Sequence, residues 1–525
     1  MIIEFSLKYN LHIERGLMKT LLRLLTNKIF MVGLIVIAEF AIVVALIWNL
    51  SLNYAFMHAF FVFLSVLLII YITNRNDDPY YRLAWTIIIL VIPPIGAVCY
   101  LIFGGKKVPK KLRERISDTY SKDAFLQDES FGILEESIEA TPRWARLVKY
   151  LMASSHYPIY KNTEATYLAS GEEKFLHMKE EIRKAEKFVF LEYFIIKEGL
   201  MWQELLVILR KKVEEGVDVR LMYDDWGCAL FRDLKKQCEE AGIVCVEFNP
   251  LVARLAIQMN NRDHRKICVV DGRVGFIGGI NLADEYINIG SKFGHWKDTA
   301  VMIEGDAVHS LTLMFLQFFR YYTGEIENPN DYKFDFGDLE NAQGYVMPFA
   351  DAPTDNYDLG LDAHLSMINN ARDYIYIQTP YLIVGHEVIQ ALELAARSGV
   401  DVRIIVPHIP DKKIVNHVTK SNYQILIESG VRIYEYEPGF VHSKTFVADD
   451  QIALVGTTNM DFRSYYLHFE CSILFINNNI VGDCYDDVMH TITENAIEIT
   501  LEDCLAVPYL VRLFRSIARI FSGLM

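Results

Sequence analysis

The sequence lacks the paired cysteine spacings that mark metal sites and disulfide scaffolds. Its eight cysteines are scattered along the chain, and none of them forms a C-x2-C pair. This absence disfavours a structural zinc site and a disulfide framework. We expect the cysteines to be reduced core residues, which agrees with a location on the cytoplasmic side of a membrane.

The chain also lacks a surplus of positive charge. Its 52 lysine and arginine residues are outnumbered by 67 aspartate and glutamate residues, which leaves a formal net charge of -15. Nucleic-acid binding depends on clustered lysine and arginine that neutralise phosphates. No nucleic-acid partner is therefore expected.

Long apolar runs, by contrast, are abundant near the N-terminus. Residues 1–105 contain three of them, at 30–48, 54–72 and 83–103. Each approaches the length of about 20 residues that a helix needs to cross a bilayer, and three in series do not fit a cleaved signal peptide. The pattern predicts a membrane anchor, so we expect a multi-pass protein of the cell membrane.

The number of complete membrane crossings stays open at this level. Pro93-Pro94 interrupts the third segment, which predicts a kink or a re-entrant turn. Basic residues before the first segment, in the loop after the second and just beyond the third all favour the cytoplasmic side. A re-entrant hairpin satisfies these charges and three full spans do not, so two or three segments are possible. The rest of the chain is expected on the cytoplasmic side.

Beyond the anchor the sequence predicts a charged juxtamembrane linker and two lobes. The linker is predicted at 106–143, the first lobe at 144–322, an interlobe linker at 323–344 and the second lobe at 345–505. Short Val/Ile/Phe-rich runs alternate with helical patterns in both lobes, which indicates an α/β fold. Residues 506–525 form a basic amphipathic pattern, typical of a helix that lies on anionic lipid or packs on the second lobe.

One motif, H-x-K-x4-D-x6-G-x-x-N, occurs once in each lobe. Its fixed polar positions are occupied by His264, Lys266, Asp271 and Asn281 in the first copy and by His442, Lys444, Asp449 and Asn459 in the second. Flanking segments repeat as well, which indicates one unit used twice. If the lobes pair face to face, two histidines, two lysines and two asparagines meet in one cleft.

Such a cleft suits phosphodiester transfer. Lysine and asparagine side chains can surround the non-bridging oxygens of a phosphodiester and stabilise the charge that builds in the transition state. One neutral imidazole can attack phosphorus to form a phosphohistidine, while the other, protonated, donates to the leaving alkoxide. Because the lysines supply the positive charge, no metal and no other cofactor is expected.

Further polar residues are candidates for a supporting or substrate-binding role. Each histidine needs a carboxylate that sets its tautomer, and Asp298 and Glu470 follow the two motifs at comparable distances. Glu192 and Gln378 are polar residues in apolar strands, where they either line the cleft or cap a neighbouring loop. The two motif aspartates are counted with the catalytic residues, although an aspartate at a strand end more often braces a loop than touches substrate.

The double motif resembles that of the phospholipase D superfamily, and the closer similarity is to the bacterial cardiolipin synthase family. Segments 83–104 and 459–464 resemble that family's membrane signature and second catalytic segment, so the likeness covers nearly the whole chain. It implies two phospholipase D-like α/β lobes that form one cleft behind N-terminal transmembrane helices. It also implies that His264 is the nucleophile and His442 the acid, an assignment that the near symmetry of the two halves leaves open.

The resemblance further implies a reaction on lipid. One phosphatidylglycerol would donate its phosphatidyl group to the histidine with release of glycerol, and a second phosphatidylglycerol would accept it to give cardiolipin. A phospholipase D or a transferase with another acceptor stays open, and the acidic composition disfavours a membrane-tethered nuclease. Two features depart from the family pattern: Thr457 stands where serine is common, and the first apolar segment is additional to the usual two. The oligomeric state is not predicted.

Overall fold

The computed structural model describes residues 28–53, 55–75, 77–104, 131–250, 260–290, 292–325, 327–354 and 357–525. Most of the linker predicted at 106–143 lies outside these residues. The part of the linker that the structure describes forms a helix, and a short turn connects this helix to the next one. Apolar helices come first along the chain, and two α/β lobes follow.

Within the described residues, the N-terminal region contains four helices: α1 (Lys28–Asn53), α2 (Ala55–Thr73), α3 (Pro79–Val91) and α4 (Pro93–Phe103). Among the described residues, α2 is the helix whose length and composition suffice to cross a membrane, with a mean hydropathy of 2.5. Shorter apolar stretches occur in α1 and α3. The three predicted segments are therefore helical, and one of them meets the criterion for a full span.

The third predicted segment, 83–103, is broken into α3 and α4. The break lies at Ile92, whose backbone leaves the helical region at φ -135° and ψ 73°. Proline lacks an amide donor and restricts the residue before it, so Pro93 ends one helix and begins the next. The hydroxyl of Ser65 in α2 donates to the carbonyl of Pro93 at 2.6 Å, which packs α2 beside the break.

The first lobe contains a seven-stranded mixed sheet. The described residues of this lobe contain nine strands: β1 (Thr163–Leu168), β2 (Phe188–Tyr193), β3 (Asp218–Asp224), β4 (Val244–Phe248), β5 (Arg262–Asp263), β6 (Lys266–Val270), β7 (Val274–Gly278), β8 (His295–Lys297) and β9 (Ala300–Gly305). The sheet order is β1-β9-β7-β6-β2-β3-β4, with β5 and β8 outside it. Strands β2, β3 and β4 are parallel and the others antiparallel.

The described residues of this part of the chain include six helices: α5 (Phe131–Ala140), α6 (Ala145–Ser155), α7 (Gly171–Lys184), α8 (Leu200–Glu214), α9 (Leu234–Glu240) and α10 (Val308–Thr323). Strands β2 and β6 are buried at every position, as in a sheet covered on both faces. The interlobe linker predicted at 323–344 contains a 3-10 turn at Pro329–Tyr332. It packs on the first lobe, where Glu327 binds Arg220 at 2.7 and 2.8 Å.

The second lobe repeats this sheet. Its strands are β10 (Tyr345–Asp351), β11 (Tyr374–Gln378), β12 (Leu382–Ile383), β13 (Asp401–Pro407), β14 (Arg432–Tyr436), β15 (Gly439–Val441), β16 (Thr445–Ala448), β17 (Ile452–Gly456), β18 (Met460–Asp461), β19 (His468–Ile476) and β20 (Ala496–Ile499). The order β10-β19-β17-β16-β11-β13-β14 matches the first sheet strand by strand, and β20 is added at the edge. The duplication predicted from the motif is thus confirmed as two similar α/β units.

The remaining helices are α11 (Leu359–Asn370), α12 (His386–Arg397), α13 (Lys413–Ser421), α14 (Tyr423–Glu428), α15 (Phe462–Tyr466), α16 (Asn479–Asn495), α17 (Leu501–Ala506) and α18 (Tyr509–Ile520). Two short parallel strand pairs join the lobes. Strand β5 of the first lobe pairs with the start of β19, and β15 of the second lobe pairs with β8. One hydrophobic core includes buried residues of both lobes, among them Phe190, Phe315 and Val346.

Helix α6 departs from the predicted domain division. It lies in the segment 144–322 assigned to the first lobe, yet it packs against α11 and β10 of the second. The indole of Trp144 donates to Gln451 at 3.1 Å, and Arg143 forms an ion pair with Asp449. An apolar helix face does not specify which of two similar lobes it covers, so the sequence alone does not fix this boundary.

The C-terminal helix α18 lies between the second lobe and the N-terminal helices. Ala518 is buried in a cluster with Val418 and Phe462 of the second lobe, and Arg519 donates to the hydroxyl of Tyr80 in α3 at 3.1 Å. The helix therefore packs on the second lobe, one of the two predicted alternatives. Its larger apolar side chains stay exposed: Leu510, Leu513, Phe514 and Ile517.

Candidate active site

The interlobe strand pairs bring both copies of the motif to one cavity. His264 follows β5, and its backbone amide donates to the carbonyl of Phe469 at 2.9 Å. His442 follows β15, and its amide donates to the carbonyl of Lys297 at 2.7 Å. The cavity has a volume of about 810 Å³. Four motif residues line it: His264, His442, Asn281 and Asn459.

Each motif histidine is bonded to a carboxylate of the opposite lobe. Nδ1 of His264 donates to Glu470 at 2.9 and 3.0 Å, and Nδ1 of His442 donates to Asp298 at 2.6 Å. Both carboxylates are fully buried. A bond of this kind places the proton on Nδ1 and leaves Nε2 as the free nitrogen. The two predicted carboxylates thus contact the histidines, in crossed pairs.

Burial and neighbouring charges set the protonation of these two pairs. Burial holds the pKa of His264 well below its ordinary value, and burial together with Lys444 lowers the pKa of His442 to about 4. Burial alone would raise the pKa of both carboxyl groups. At Glu470 the contact with His264 outweighs this effect of burial, and at Asp298 the contact with His442 does so. The pKa values of both carboxyl groups are therefore lowered. In the free protein the imidazoles are therefore neutral and the carboxylates ionised.

The motif lysines lie buried beside the histidines. The Nζ of Lys266 donates to the carbonyl of His264, and the Nζ of Lys444 donates to that of His442. Burial lowers the pKa of Lys266 to about 8 and the pKa of Lys444 to about 7. Both ammonium groups consequently titrate near neutral pH, and a bound phosphate anion would favour their charged forms.

The motif asparagines reach the cavity from the Gly-x-x-Asn elements. Asn281 is held in place, since its Oδ1 accepts from the amide of Ile195 at 3.0 Å and its Nδ2 donates to the hydroxyl of Tyr286 at 2.6 Å. The buried Oδ1 of Asn459 has no hydrogen-bond partner among the described residues. The Asn459 amide therefore keeps hydrogen-bonding capacity for a bound molecule.

The two motif aspartates lie outside the cavity. Asp271 accepts from the backbone amides of residues 186–188, each at 2.8 Å. Asp449 accepts from the amides of residues 372–374 at 2.8 and 2.9 Å. Each carboxylate ties the end of the H-x-K strand to the start of the neighbouring strand. Their inclusion among the catalytic residues is thus corrected: they brace the lobes.

Glu192 and Gln378 occupy matching positions in β2 and β11, and both are fully buried. Glu192 forms an ion pair with Arg265, and Gln378 accepts from the hydroxyl of Ser443 at 2.6 Å. Their partners are the middle residues of the two H-x-K segments. Neither side chain lines the cavity. Instead of lining the cleft or capping a loop, as the sequence suggested, these residues hold the H-x-K segments in position.

Two further side chains contact the site without having been predicted as part of it. The hydroxyl of Thr457 donates to Glu470 at 2.5 Å and orients that carboxylate. The ring of His468 lines the cavity 5.4 Å from the ring of His264. His468 stands two residues before Glu470, and this proximity to a predicted carboxylate is the signal that marks it in the sequence.

One group of side chains at the site has the composition of a metal-binding set. His264, His468 and Glu470 each place one potential ligand atom within 4.8 Å of the others. The ammonium of Lys266, which is bonded to the His264 carbonyl, opposes a second cation at this point. Of these groups, His264 and Glu470 already satisfy each other as a histidine–carboxylate pair.

Seven aromatic side chains line part of the cavity, and one of them comes from the N-terminal region. Phe103, the last residue of α4, lines the cavity. Other aromatic side chains on its walls are Phe194, Trp226, Tyr286, Phe293, Trp296 and Tyr381. The cavity thus combines polar and charged residues, the motif residues among them, with aromatic side chains, one of which ends the last N-terminal helix.

Fold and site together define a phospholipase D-type enzyme with two motif copies in one cleft. A family model described as "Cardiolipin synthase, PLD-like domain" matches residues 178–310 and 364–491, and one described as "Phospholipase_D-nuclease N-terminal" matches residues 63–105. The chain belongs to the bacterial cardiolipin synthase family of the phospholipase D superfamily.

Relatives of similar length support this membership. The chain is 35% identical over 460 residues to a cardiolipin synthase of Geobacillus kaustophilus, which covers 86% of this chain and 91% of the relative. It is 33% identical over 431 residues to cardiolipin synthase 2 of Bacillus cereus, with 82% and 83% covered. An uncharacterized protein of Streptococcus mutans is 44% identical over 433 residues, with 81% and 93% covered.

A solved structure shares the fold at low sequence identity. The phosphatidylserine synthase of Haemophilus influenzae superposes with a TM-score of 0.53 at 17% identity, and the match covers 72% of this chain and 98% of that one. The likeness supports the mixed α/β architecture with two phospholipase D-like units.

Proposed function

We propose that the protein is a cardiolipin synthase, which transfers a phosphatidyl group from one phosphatidylglycerol to another and releases glycerol. The observation that carries this proposal is the crossed arrangement of His264–Glu470 and His442–Asp298 in one cavity. Two neutral imidazoles with oriented carboxylates suit a two-step phosphodiester transfer. Relatives named cardiolipin synthase supply the lipid class.

In the first step, Nε2 of His264 attacks phosphorus of the donor lipid. The bond between phosphorus and the oxygen of the headgroup glycerol breaks, and His442 gives its proton to that oxygen. Glycerol departs, and the phosphatidyl group remains on His264 as a phosphohistidine. His442 is neutral in the free protein and takes up this proton when the phosphodiester anion binds, because a nearby negative charge raises its pKa. Asp298 then stabilises the imidazolium.

In the second step the roles of the histidines are reversed. His442, now neutral, accepts the proton of the acceptor hydroxyl, and that oxygen attacks phosphorus. The phosphorus–nitrogen bond to His264 breaks and leaves that imidazole neutral. When the diphosphatidyl product leaves, His442 releases its proton to solvent and returns to its neutral state. Lys266 and Lys444, with the two motif asparagines, bind the non-bridging oxygens throughout. The lysine charge does the work that a metal ion does in other phosphoryl transferases, so we propose no cofactor.

We further infer that the protein is embedded in the cell membrane by several segments, with its lobes in the cytoplasm. Support comes from the length and hydropathy of α2 and from Phe103, which extends the apolar N-terminal region to the cavity. All eight cysteines are unpaired thiols, as suits a reducing compartment. A membrane-impermeant maleimide should leave a cysteine introduced at Asp233, on the exposed surface of the first lobe, unlabelled in intact spheroplasts and label it after lysis. Labelling before lysis would place the lobes outside.

The activity is tested with purified protein and phosphatidylglycerol labelled in its glycerol headgroup and its phosphate, in the presence of a chelator. Cardiolipin and free glycerol in equal amounts are expected. Phosphatidic acid as the sole lipid product would mean hydrolysis and a phospholipase D, and a product with another alcohol would mean a different acceptor. An absolute requirement for a metal ion would contradict the mechanism.

A further inference from the structure

The internal repeat relates the two halves of the cavity, so differences between equivalent positions reveal where the halves act differently. Arg262 and Phe440 each precede a motif histidine by two residues, and His468 and Trp296 each precede a carboxylate by two. In the interlobe strand pairs, Arg262 lies opposite His468, and Phe440 lies opposite Trp296. The first pair is basic, whereas the second is aromatic, with ring centroids 4.7 Å apart.

A second pair of equivalent positions continues this difference. Arg463 and Glu285 each stand four residues after a motif asparagine, and both line the cavity. Glu285 forms an ion pair with Lys197. The guanidinium of Arg463 makes no hydrogen bond or ion pair with any residue in the described part of the chain. Solvent in the cavity reaches it.

The charges around Arg463 leave it without a compensating partner. Burial lowers the pKa of its guanidinium, Asp461 opposes that effect, and the charge of Arg262 adds to it. Asp461 caps α15 through the amide of Ser464 at 2.9 Å. Arg262 has its own neighbour in Asp224, at 3.6 Å. Arg463 and Arg262 both line the cavity, and the repulsion between two cations in one cavity is relieved when an anion binds near them.

The other cations on the cavity wall are already matched. Lys197 is paired with Glu285, and Lys412 lies 3.2 Å from Asp411. Among the four lysine and arginine side chains that line the cavity, Arg463 is thus the one whose charge no acidic side chain in the described residues pairs with. Arg463 thus differs in charge from its equivalent Glu285, and Arg262 and His468 differ from their aromatic equivalents Phe440 and Trp296.

The proposed reaction needs such a charge. The phosphodiester of the donor lipid reacts and is bound by the motif, but the acceptor lipid brings a second phosphodiester that stays intact and keeps its negative charge. Moving that anion from water into the cavity is costly unless a cation receives it. A guanidinium binds a phosphodiester with two parallel hydrogen bonds, which also fixes its orientation.

We propose that Arg463, together with Arg262, forms a second anion subsite that binds the unreacted phosphodiester of the acceptor lipid. The subsite selects an alcohol that carries a phosphodiester over water or a free alcohol. The inference rests on the proposed function and adds to it the residues that recognise the acceptor. Arg463 is the better residue to test, because Arg262 is buried and donates to the carbonyl of Asn249 at 3.0 Å, so its replacement would disturb packing.

The test compares two acceptors for one phosphohistidine. Protein is incubated with phosphatidylglycerol and labelled glycerol, and the labelled phosphatidylglycerol formed by exchange is measured beside the cardiolipin. The neutral acceptor does not need the subsite. In Arg463→Gln the ratio of cardiolipin formation to glycerol exchange should fall about tenfold or more, as expected for a lost charged hydrogen bond. Arg463→Lys should recover part of the ratio, and Arg463→Glu, which installs the residue of the first lobe, should lower it further.

Arg432→Gln is the matched control, since it removes an arginine of the same lobe that is paired with Glu498 outside the cavity; its ratio should equal that of the unaltered protein. An unchanged ratio in Arg463→Gln overturns the subsite, as does an equal fall in both rates, because Arg463 would then serve the shared first step. Failure of the proposed function is visible separately: the unaltered protein would exchange glycerol but form no cardiolipin.

Discussion

Nδ1 of His264 lies 2.9 Å from a carboxylate oxygen of Glu470, a residue 206 positions further along the chain and in the opposite lobe. His442 has the same relationship to Asp298, in the reverse direction. Neither lobe can therefore orient its own histidine. Each is half of a catalytic unit, and activity requires that the two lobes stay packed together.

Loss of either carboxylate should act through the tautomer of its histidine. Glu470→Gln and Asp298→Asn keep the size of the side chain but remove the charge that holds the proton on Nδ1. The turnover number should fall by about a thousandfold or more, as in other enzymes whose histidine loses its carboxylate. Steady-state release of glycerol measures this. Glu498→Gln, at an exposed position of the second lobe, should turn over normally, and a mild effect of Glu470→Gln would contradict the crossed arrangement.

The two histidines should differ in the step that their loss blocks. His264→Ala should form no phosphoenzyme, because the attacking nitrogen is missing. His442→Ala should form phosphoenzyme slowly and then stall, because the base for the second step is missing. Acid-labile label retained on the protein after incubation with phosphate-labelled lipid measures this. If the label were retained on His264→Ala, His442 would be the nucleophile and His264 the acid and base. Near-normal turnover of either variant would contradict a single shared site.

Activity should decline as the pH rises past neutrality. The lowered pKa values of Lys444, about 7, and Lys266, about 8, mean that the ammonium groups are charged below these values and lose their charge above them. Binding of a phosphodiester needs the charged forms, so kcat/KM should fall on the alkaline side between about pH 7 and 9. Lys444→Arg keeps its charge at every pH. In the pH profile of Lys444→Arg, the alkaline decline of kcat/KM should shift to higher pH, even though the overall rate is lower. If the decline does not shift, it belongs to another titrating group.

The motif aspartates should affect stability rather than chemistry. Asp271→Ala removes the acceptor of three backbone amides, which should lower the free energy of unfolding by about 2–4 kcal/mol. Denaturant unfolding in detergent measures the change, and the folded fraction should keep nearly normal turnover per molecule. Asp233→Ala is a suitable control, because Asp233 is exposed and its side chain caps no amide. A stable but inactive Asp271→Ala protein would restore this aspartate to the catalytic group.

Much of the fold was accessible from spacing. The repeated motif predicted two equivalent α/β units, and the two sheets do share one strand order. The interruption at Pro93-Pro94 was also predicted, because the loss of an amide donor is a local property. The place of α6 was not, since its apolar face fits the surface of either lobe and only the packed structure selects the second.

Some residues of the site could likewise be predicted from the sequence, and others could be recognised only in the structure. His264 and His442 were found because residue type and spacing recur, and Asp298 and Glu470 because a histidine needs a carboxylate. Asp271 was grouped with the catalytic residues although bracing is the commoner role for a strand-end aspartate, because the sequence looks the same whether its partners are backbone amides or substrate. The importance of Arg463 became visible only when the structure placed it on the cavity wall.

The sequence by itself determined the family, the duplication and the residue types of the chemistry, because these depend on the order and spacing of side chains along one chain. The tertiary structure alone decided that each histidine takes its carboxylate from the other lobe and that equivalent positions with different charges line one cavity. The physical reason is distance along the chain: hydrogen bonds act over about 3 Å in space, and contacts between residues hundreds of positions apart follow from how the two lobes pack.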